Sequence, residues 1–174
     1  MVFRMRREIH RGIGGHHSAR SYTCDWLTPP EIIQKIGEFD LDPCSPVKRP
    51  WDTAKRHYSI EDDGLSQPWE GRVWLNPPYG LQAWPWMSRL ADHGDGVAIL
   101  FARTETRGFH RLVWERATAL LFLEGRLNFH RATGERADRN AGGPSVLIAY
   151  GNVNAWKLEH SGIPGKFIWL MGGA

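Results

Sequence analysis

A chain of 174 residues suits one compact domain with a sizeable core, and leaves little room for a second. No run approaches the ~20 apolar residues of a membrane helix, and the arginine-rich start lacks the apolar stretch of a signal peptide. Two cysteines, Cys24 and Cys44, argue against a disulfide framework, and no C-x-x-C or H-x-x-x-H spacing supports zinc. A soluble, cytoplasmic protein with reduced thiols and no metal is therefore expected. The formal charge is only +3, but it is carried mainly by arginine, which suits phosphate partners.

Residues 1–24 form a basic, flexible lead-in with Arg4, Arg6, Arg7, Arg11 and Arg20, either a phosphate-binding arm or a solvated tail. A single catalytic domain is expected over 25–174. Thr28-Pro29-Pro30 opens a helix through Ile36, with Thr28 as N-cap, Glu31 three residues on and Gly37 as its stop. Phe39 to Asp42 alternates apolar and acidic residues and predicts a short strand ending in an acid. Weak strand potential near His57 to Ile60 precedes a second strand, Arg72 to Leu75, stopped by two prolines.

A helix over Gln82 to Leu90 tolerates Pro85 in its first turn. Gly96 to Phe101 (GVAILF) is the strongest buried strand, followed by a helix over Phe109 to Arg116. Ala119 to Leu123 is another buried strand, and Arg126 to Phe129 a short one. A loop over 131–143 leads to the strand Val146 to Tyr150, and Phe167 to Leu170 adds an edge. Strands separated by helices predict an α/β domain with a mostly parallel, mixed sheet. The last strands carry no intervening helix and predict an antiparallel part. Ligands collect beyond the carboxyl ends of parallel strands, which puts Asp42, Asn76 and Arg103 on one edge.

Asn76-Pro77-Pro78-Tyr79 is the motif that carries chemistry. Two prolines fix φ and remove two backbone donors, giving a rigid extended loop directly after a strand. The Asn76 amide oxygen and the Pro77 carbonyl can each accept a hydrogen bond from an exocyclic amino group. Such acceptors stabilise the positive charge that develops as the nitrogen attacks a methyl donor. Tyr79 offers a flat face for an extruded base.

Further blocks occur in order: Asp25-Trp26-Leu27-Thr28-Pro29, Phe39-Asp40-Leu41-Asp42-Pro43-Cys44, Glu61-Asp62-Asp63-Gly64-Leu65, and Trp74 to Gly80. Ala102-Arg103-Thr104-Glu105-Thr106 and Gly125-Arg126-Leu127-Asn128-Phe129 follow. Over roughly residues 22–150 the chain resembles the phage and prophage DNA N6-adenine methyltransferases, a family of Asn-Pro-Pro-Tyr amino-methyltransferases. The resemblance implies a trimmed Rossmann-like fold, S-adenosyl-L-methionine as cofactor, DNA as partner and a bacterial host cytoplasm. It places Asn76, Pro77, Pro78 and Tyr79 at the reaction centre. Thr28, Pro29, Asp40, Asp42, Pro43 and Asp63 are implied for the cofactor, Asp63 through its adenine amino group.

Arg103, Thr104 and Thr106 are candidates for the base pocket or a phosphate, and Arg126, Arg136 and Arg139 for the DNA backbone. The chain departs from most methyltransferases in lacking a glycine-rich loop after its first strand. The upstream Gly12-Ile13-Gly14-Gly15 precedes any predicted strand and is no substitute. Chemistry on N6 needs adenine flipped from the stack. Adenine in RNA, protein glutamine, or a catalytically idle DNA-binding module are the alternatives at this point.

Overall fold

The computed structural model describes residues 26–138 and 141–170; the lead-in over 1–24 and Arg139 lie outside them. The chain runs through β1 (Trp26–Leu27), α1 (Pro30–Ile36), β2 (Leu41–Asp42), β3 (Arg56–His57), β4 (Val73–Leu75) and α2 (Ala83–His93). It continues through β5 (Gly96–Phe101) and α3 (Arg107–Phe109), which runs on as a π-helical turn over His110–Trp114. Then come β6 (Ala119–Leu123), β7 (His130–Arg131), β8 (Ser145–Tyr150), α4 (Asn152–Glu159) and β9 (Gly165–Trp169).

Seven strands form one mixed sheet in the order β3-β2-β4-β5-β8-β6-β9. β3, β2, β4 and β5 are mutually parallel, whereas β8 is antiparallel to β5 and β6, and β9 is antiparallel to β6. The apolar runs of β5 and β8 are buried on both faces, which is why each is apolar at nearly every position. Alternate residues serve opposite layers, as the two-residue strand period requires. Ala98, Leu100, Val146 and Ile148 pack with Met87 and Leu90 of α2 and with Phe109 and Val113. Val97, Ile99, Leu147 and Ala149 pack with Ile33 and Ile36 of α1 and Ala155 and Leu158 of α4. Each such large side chain contributes roughly 1.5–3 kcal/mol by leaving water.

The structure corrects several expected elements. Helix α1 begins at Pro30 with Pro29 at its cap position, and no side chain caps it. Thr28 is therefore not the N-cap. Arg126 to Phe129 forms no strand; the pairing residues are His130 and Arg131, which ladder with Trp26 and Leu27 outside the main sheet. Helix α4 separates β8 from β9, so the last strands are not directly joined. Its sequence shows no clean apolar stripe, because one of its inward positions is the polar Asn154, which is fully buried.

That asparagine belongs to a polar clamp at the sheet edge where β4 and β5 begin. Arg72 Nε donates to Asn154 Oδ1 at 2.6 Å, and its terminal nitrogens donate to the carbonyls of Glu38 (2.6 Å) and Ile36 (3.2 Å). Asn154 Nδ2 in turn donates to Asp95 Oδ1 (2.7 Å) and to the Tyr150 carbonyl (2.8 Å). One buried guanidinium thus ties α1, β4 and α4 together. Arg72→Met should destabilise the fold by ~2–4 kcal/mol, because it strands several buried acceptors. Urea unfolding measures that loss, and an unchanged midpoint would show the clamp to be idle.

Candidate active site

β2 and β4 are parallel neighbours, so their carboxyl ends open on one edge of the sheet. Both are stopped there by proline, at Pro43 and at Pro77-Pro78, and the chain must splay. A cleft of about 890 Å³ results, lined by Thr28, Asp42, Pro43, Asp63, Asn76 and Pro78 among others. Six residues proposed from sequence thus converge, although they come from four separate segments of the chain. Gly64 closes the floor: a Cβ there would lie 1.9 Å from the Pro43 carbonyl oxygen, so no larger residue fits.

Asn76 is oriented by an unexpected partner. Its Nδ2 donates to the Trp26 carbonyl of β1 at 2.5 Å. A carbonyl can only accept, so the amide nitrogen must face Trp26 and Oδ1 must face the other way. The side chain is thereby presented as an acceptor. Tyr79 is half-buried, and Phe101 covers one face of its ring at 4.5 Å between centroids, 16° from parallel. Phe129 meets Tyr79 edge-on at 6.0 Å. The Tyr79 hydroxyl is buried without a protein partner, and burial pushes its ionisation far above the ordinary tyrosine range. Tyr79 is a neutral phenol and no base.

Asp42 is 4% exposed. Its Oδ1 accepts the Cys44 N–H at 3.0 Å and its Oδ2 accepts the Thr53 hydroxyl at 2.5 Å. Burial outweighs these donors and raises the carboxyl to about 6. Thr28 is 1% exposed, and its hydroxyl has no partner in the protein. Thr28 lines the cleft, so its hydroxyl is open to a partner from that side. Asp63 is exposed at φ +52°, with Oδ2 accepting the Ser66 hydroxyl.

Other sequence candidates lie elsewhere. Asp40 accepts the Arg72 N–H at 2.9 Å and Lys55 Nζ at 3.1 Å, away from the cleft lining. Pro29 is buried and does not line the cleft. Thr106 caps α3 by accepting the Phe109 N–H at 3.4 Å, and the Thr104 carbonyl accepts the Trp114 indole at 3.3 Å. Arg103 borders a smaller groove of about 220 Å³ with Phe101, Glu105 and Pro144. Arg126 donates to the Ala141 carbonyl at 3.1 Å, anchoring the loop. Arg136 is exposed on the hairpin that follows β7.

Sequence reasoning missed Thr53, Ile60 and Val47 in the lining. The exposed apolar side chains of Ile60 and Val47 were the available signal, since a turn-rich polar segment has no core to put them in. Among the described residues no helix is long and apolar enough to cross a membrane, and no group of three or more His, Cys, Asp or Glu could hold a metal ion. Compared with known families, residues 16–160 match the model described as DNA N-6-adenine-methyltransferase (Dam). No curated protein and no solved structure matches the chain.

Proposed function

The chain belongs to the DNA N-6-adenine-methyltransferase family, and from that premise we propose that it transfers the methyl of S-adenosyl-L-methionine to N6 of adenine at particular sites in DNA. The observation that carries this is Asn76, whose amide oxygen is turned out as an acceptor by the Trp26 carbonyl at the cleft edge. The enzyme is of the phage or prophage kind and works in a bacterial cytoplasm. Its mixed sheet is a trimmed Rossmann-like core, with the ligand beyond the carboxyl ends of the parallel strands.

The cleft fits the cofactor by its donor set. Asp42 offers a buried carboxylate to an ammonium or to hydroxyls, Thr28 an orphan hydroxyl, and Asp63 an exposed acceptor. Ile60 and Val47 give apolar cover to a flat ring. When bound, S-adenosyl-L-methionine supplies a methyl group already activated on sulfonium sulfur. Asn76 Oδ1 and the Pro77 carbonyl accept from the adenine amino group, align its lone pair and stabilise its growing positive charge. The two prolines hold these acceptors rigidly, so little reorganisation accompanies the attack. Tyr79, backed by Phe101, stacks the flipped base. The product nitrogen is strongly acidic once methylated and loses its proton to water, so no strong general base is required.

Arg136, with Arg139, follows the DNA backbone. Arg103, Thr104 and Thr106 frame the base side of the site, Thr106 by fixing the turn that carries the other two. Transfer of labelled methyl to unmethylated DNA, RNA and protein in parallel, followed by nucleoside analysis, tests the assignment. Label is expected in DNA as N6-methyladenine, and label confined to RNA or protein would reject DNA as substrate.

A further inference from the structure

Between β2 and β3 lies a cluster of side chains for which the methyl-transfer chemistry has no use. His57 lies on β3 with its side chain 7% exposed. Its Nε2 accepts two backbone N–H groups, from Thr53 at 3.2 Å and from Ala54 at 3.3 Å. A ring nitrogen facing two donors must be an acceptor, so the proton sits on Nδ1 and the ring is neutral. Burial and the nearby Arg49 both lower its proton affinity, in keeping with that state. The imidazole therefore does for this turn what a carboxylate does at a helix N-terminus, without bringing a charge.

The turn so fixed carries Thr53, which is 5% exposed and lines the cleft. Its hydroxyl donates to Asp42 Oδ2 at 2.5 Å. A threonine hydroxyl has one proton, and here it is committed to the carboxylate. The sequence from His57 through Thr53 to Asp42 is a supporting chain of hydrogen bonds ending at the cleft wall.

We propose that Thr53 and His57 are positioning residues for the cofactor: His57 holds the turn, and Thr53 holds the Asp42 carboxylate ionised and aimed into the cleft. This rests on the assignment of Asp42 to S-adenosyl-L-methionine. The physical reason lies in burial. A carboxylate removed from water protonates unless donors compensate it. Asp42 has two, and only the Thr53 hydroxyl comes from a side chain that substitution can remove.

Charged groups around the cluster are few. Arg49 faces both Asp42 and His57, and pairs with Asp52 at 3.0 Å. Asp52 Oδ1 stands 3.9 Å from His57 Nε2. Lys48 and Asp63 line the same cleft. Lys55 pairs with Asp40 and Glu38, and Arg56 with Glu70. From β4, the residue paired with β2 is the uncharged Val73.

The test measures S-adenosyl-L-methionine affinity by calorimetry from about pH 5 to about pH 8, and the Asp42 carboxyl titration by carbon NMR on the protein alone. Thr53→Val, which keeps the shape and loses the hydroxyl, should weaken binding roughly tenfold at neutral pH. It should also move the Asp42 titration, and with it the acid limb of binding, to higher pH. Thr53→Ser should restore both. His57→Ala should act in the same direction, and the double variant should be no worse than Thr53→Val alone, because His57 acts through Thr53.

Wild-type affinity and titration in Thr53→Val would overturn the proposal, as would additive losses in the double variant. If Thr53→Val does not fold, His57→Ala decides through the same two readouts. Asp42→Asn separates the two levels of inference. Weak binding in Asp42→Asn beside intact binding in Thr53→Val removes the positioning role alone. Intact binding in Asp42→Asn removes the cofactor assignment itself.

Discussion

Replacing Asn76 by alanine is expected to lower the rate of methyl transfer roughly 100- to 1000-fold while leaving cofactor affinity within several-fold. The loss is large because, on the proposed mechanism, Asn76 Oδ1 accepts a hydrogen bond that strengthens as the attacking nitrogen becomes positive, so most of its worth appears in the transition state. The cofactor contacts assigned here come from other segments, namely Thr28, Asp42 and Asp63. Removing the side chain also leaves the Trp26 carbonyl without its donor, a modest structural cost beside the chemical one. Single-turnover kinetics at saturating cofactor isolates the chemical step. A variant that turned over near the wild-type rate would end the proposed mechanism.

Asp42→Asn should make the protein more stable and its cofactor binding weaker. The carboxyl titrates at about 6 in the fold against an ordinary 3.8. Between those values the folded state holds more protons than the unfolded one. Stability therefore falls as pH rises from about 4 to about 6, and stays at the lower level above. The gap corresponds to at most about 3 kcal/mol at neutral pH, an upper bound for a neutral isostere. Asparagine can still accept the Cys44 N–H and donate to the Thr53 oxygen, so the geometry survives. Losing a charged acceptor should nonetheless weaken S-adenosyl-L-methionine binding by ~1.5–3 kcal/mol. Melting temperatures between about pH 4 and about pH 8, with calorimetry of both proteins, give the two signs. A destabilised Asp42→Asn at neutral pH, or one with unchanged affinity, contradicts this account.

Much of the framework was legible because its physical signals are strong. GVAILF and VLIAY are apolar throughout because both faces of β5 and β8 are covered, and runs this short, bounded by turn-forming residues, favour buried strands. Asp42 and Asn76 could be placed on one edge because each closes or follows a strand stopped by proline, whereas Thr28 was pointed to only by the family resemblance; the fold brings all three to one cleft. What stayed hidden depends on contacts made at a distance. The ladder of Trp26 and Leu27 with Arg131 and His130 has two residues per strand, too few for any periodicity. His57 acts through an acceptor nitrogen aimed at backbone four residues earlier, and such a role leaves no mark on composition. Tyr79 suggested an open face, and only the fold reveals that Phe101 already occupies one side.

The short ladder between β1 and β7 also binds two tasks together. Arg131 and Arg136 stand on the hairpin that holds β1, and β1 supplies the carbonyl that turns Asn76. Whatever steadies that hairpin, a phosphate backbone included, steadies the acceptor at the reaction centre. On the proposed mechanism, thermodynamic linkage makes the relation reciprocal: adenine held by Asn76 would tighten the grip on the strand it came from by the same factor. Engagement of the backbone would then report directly on readiness for chemistry.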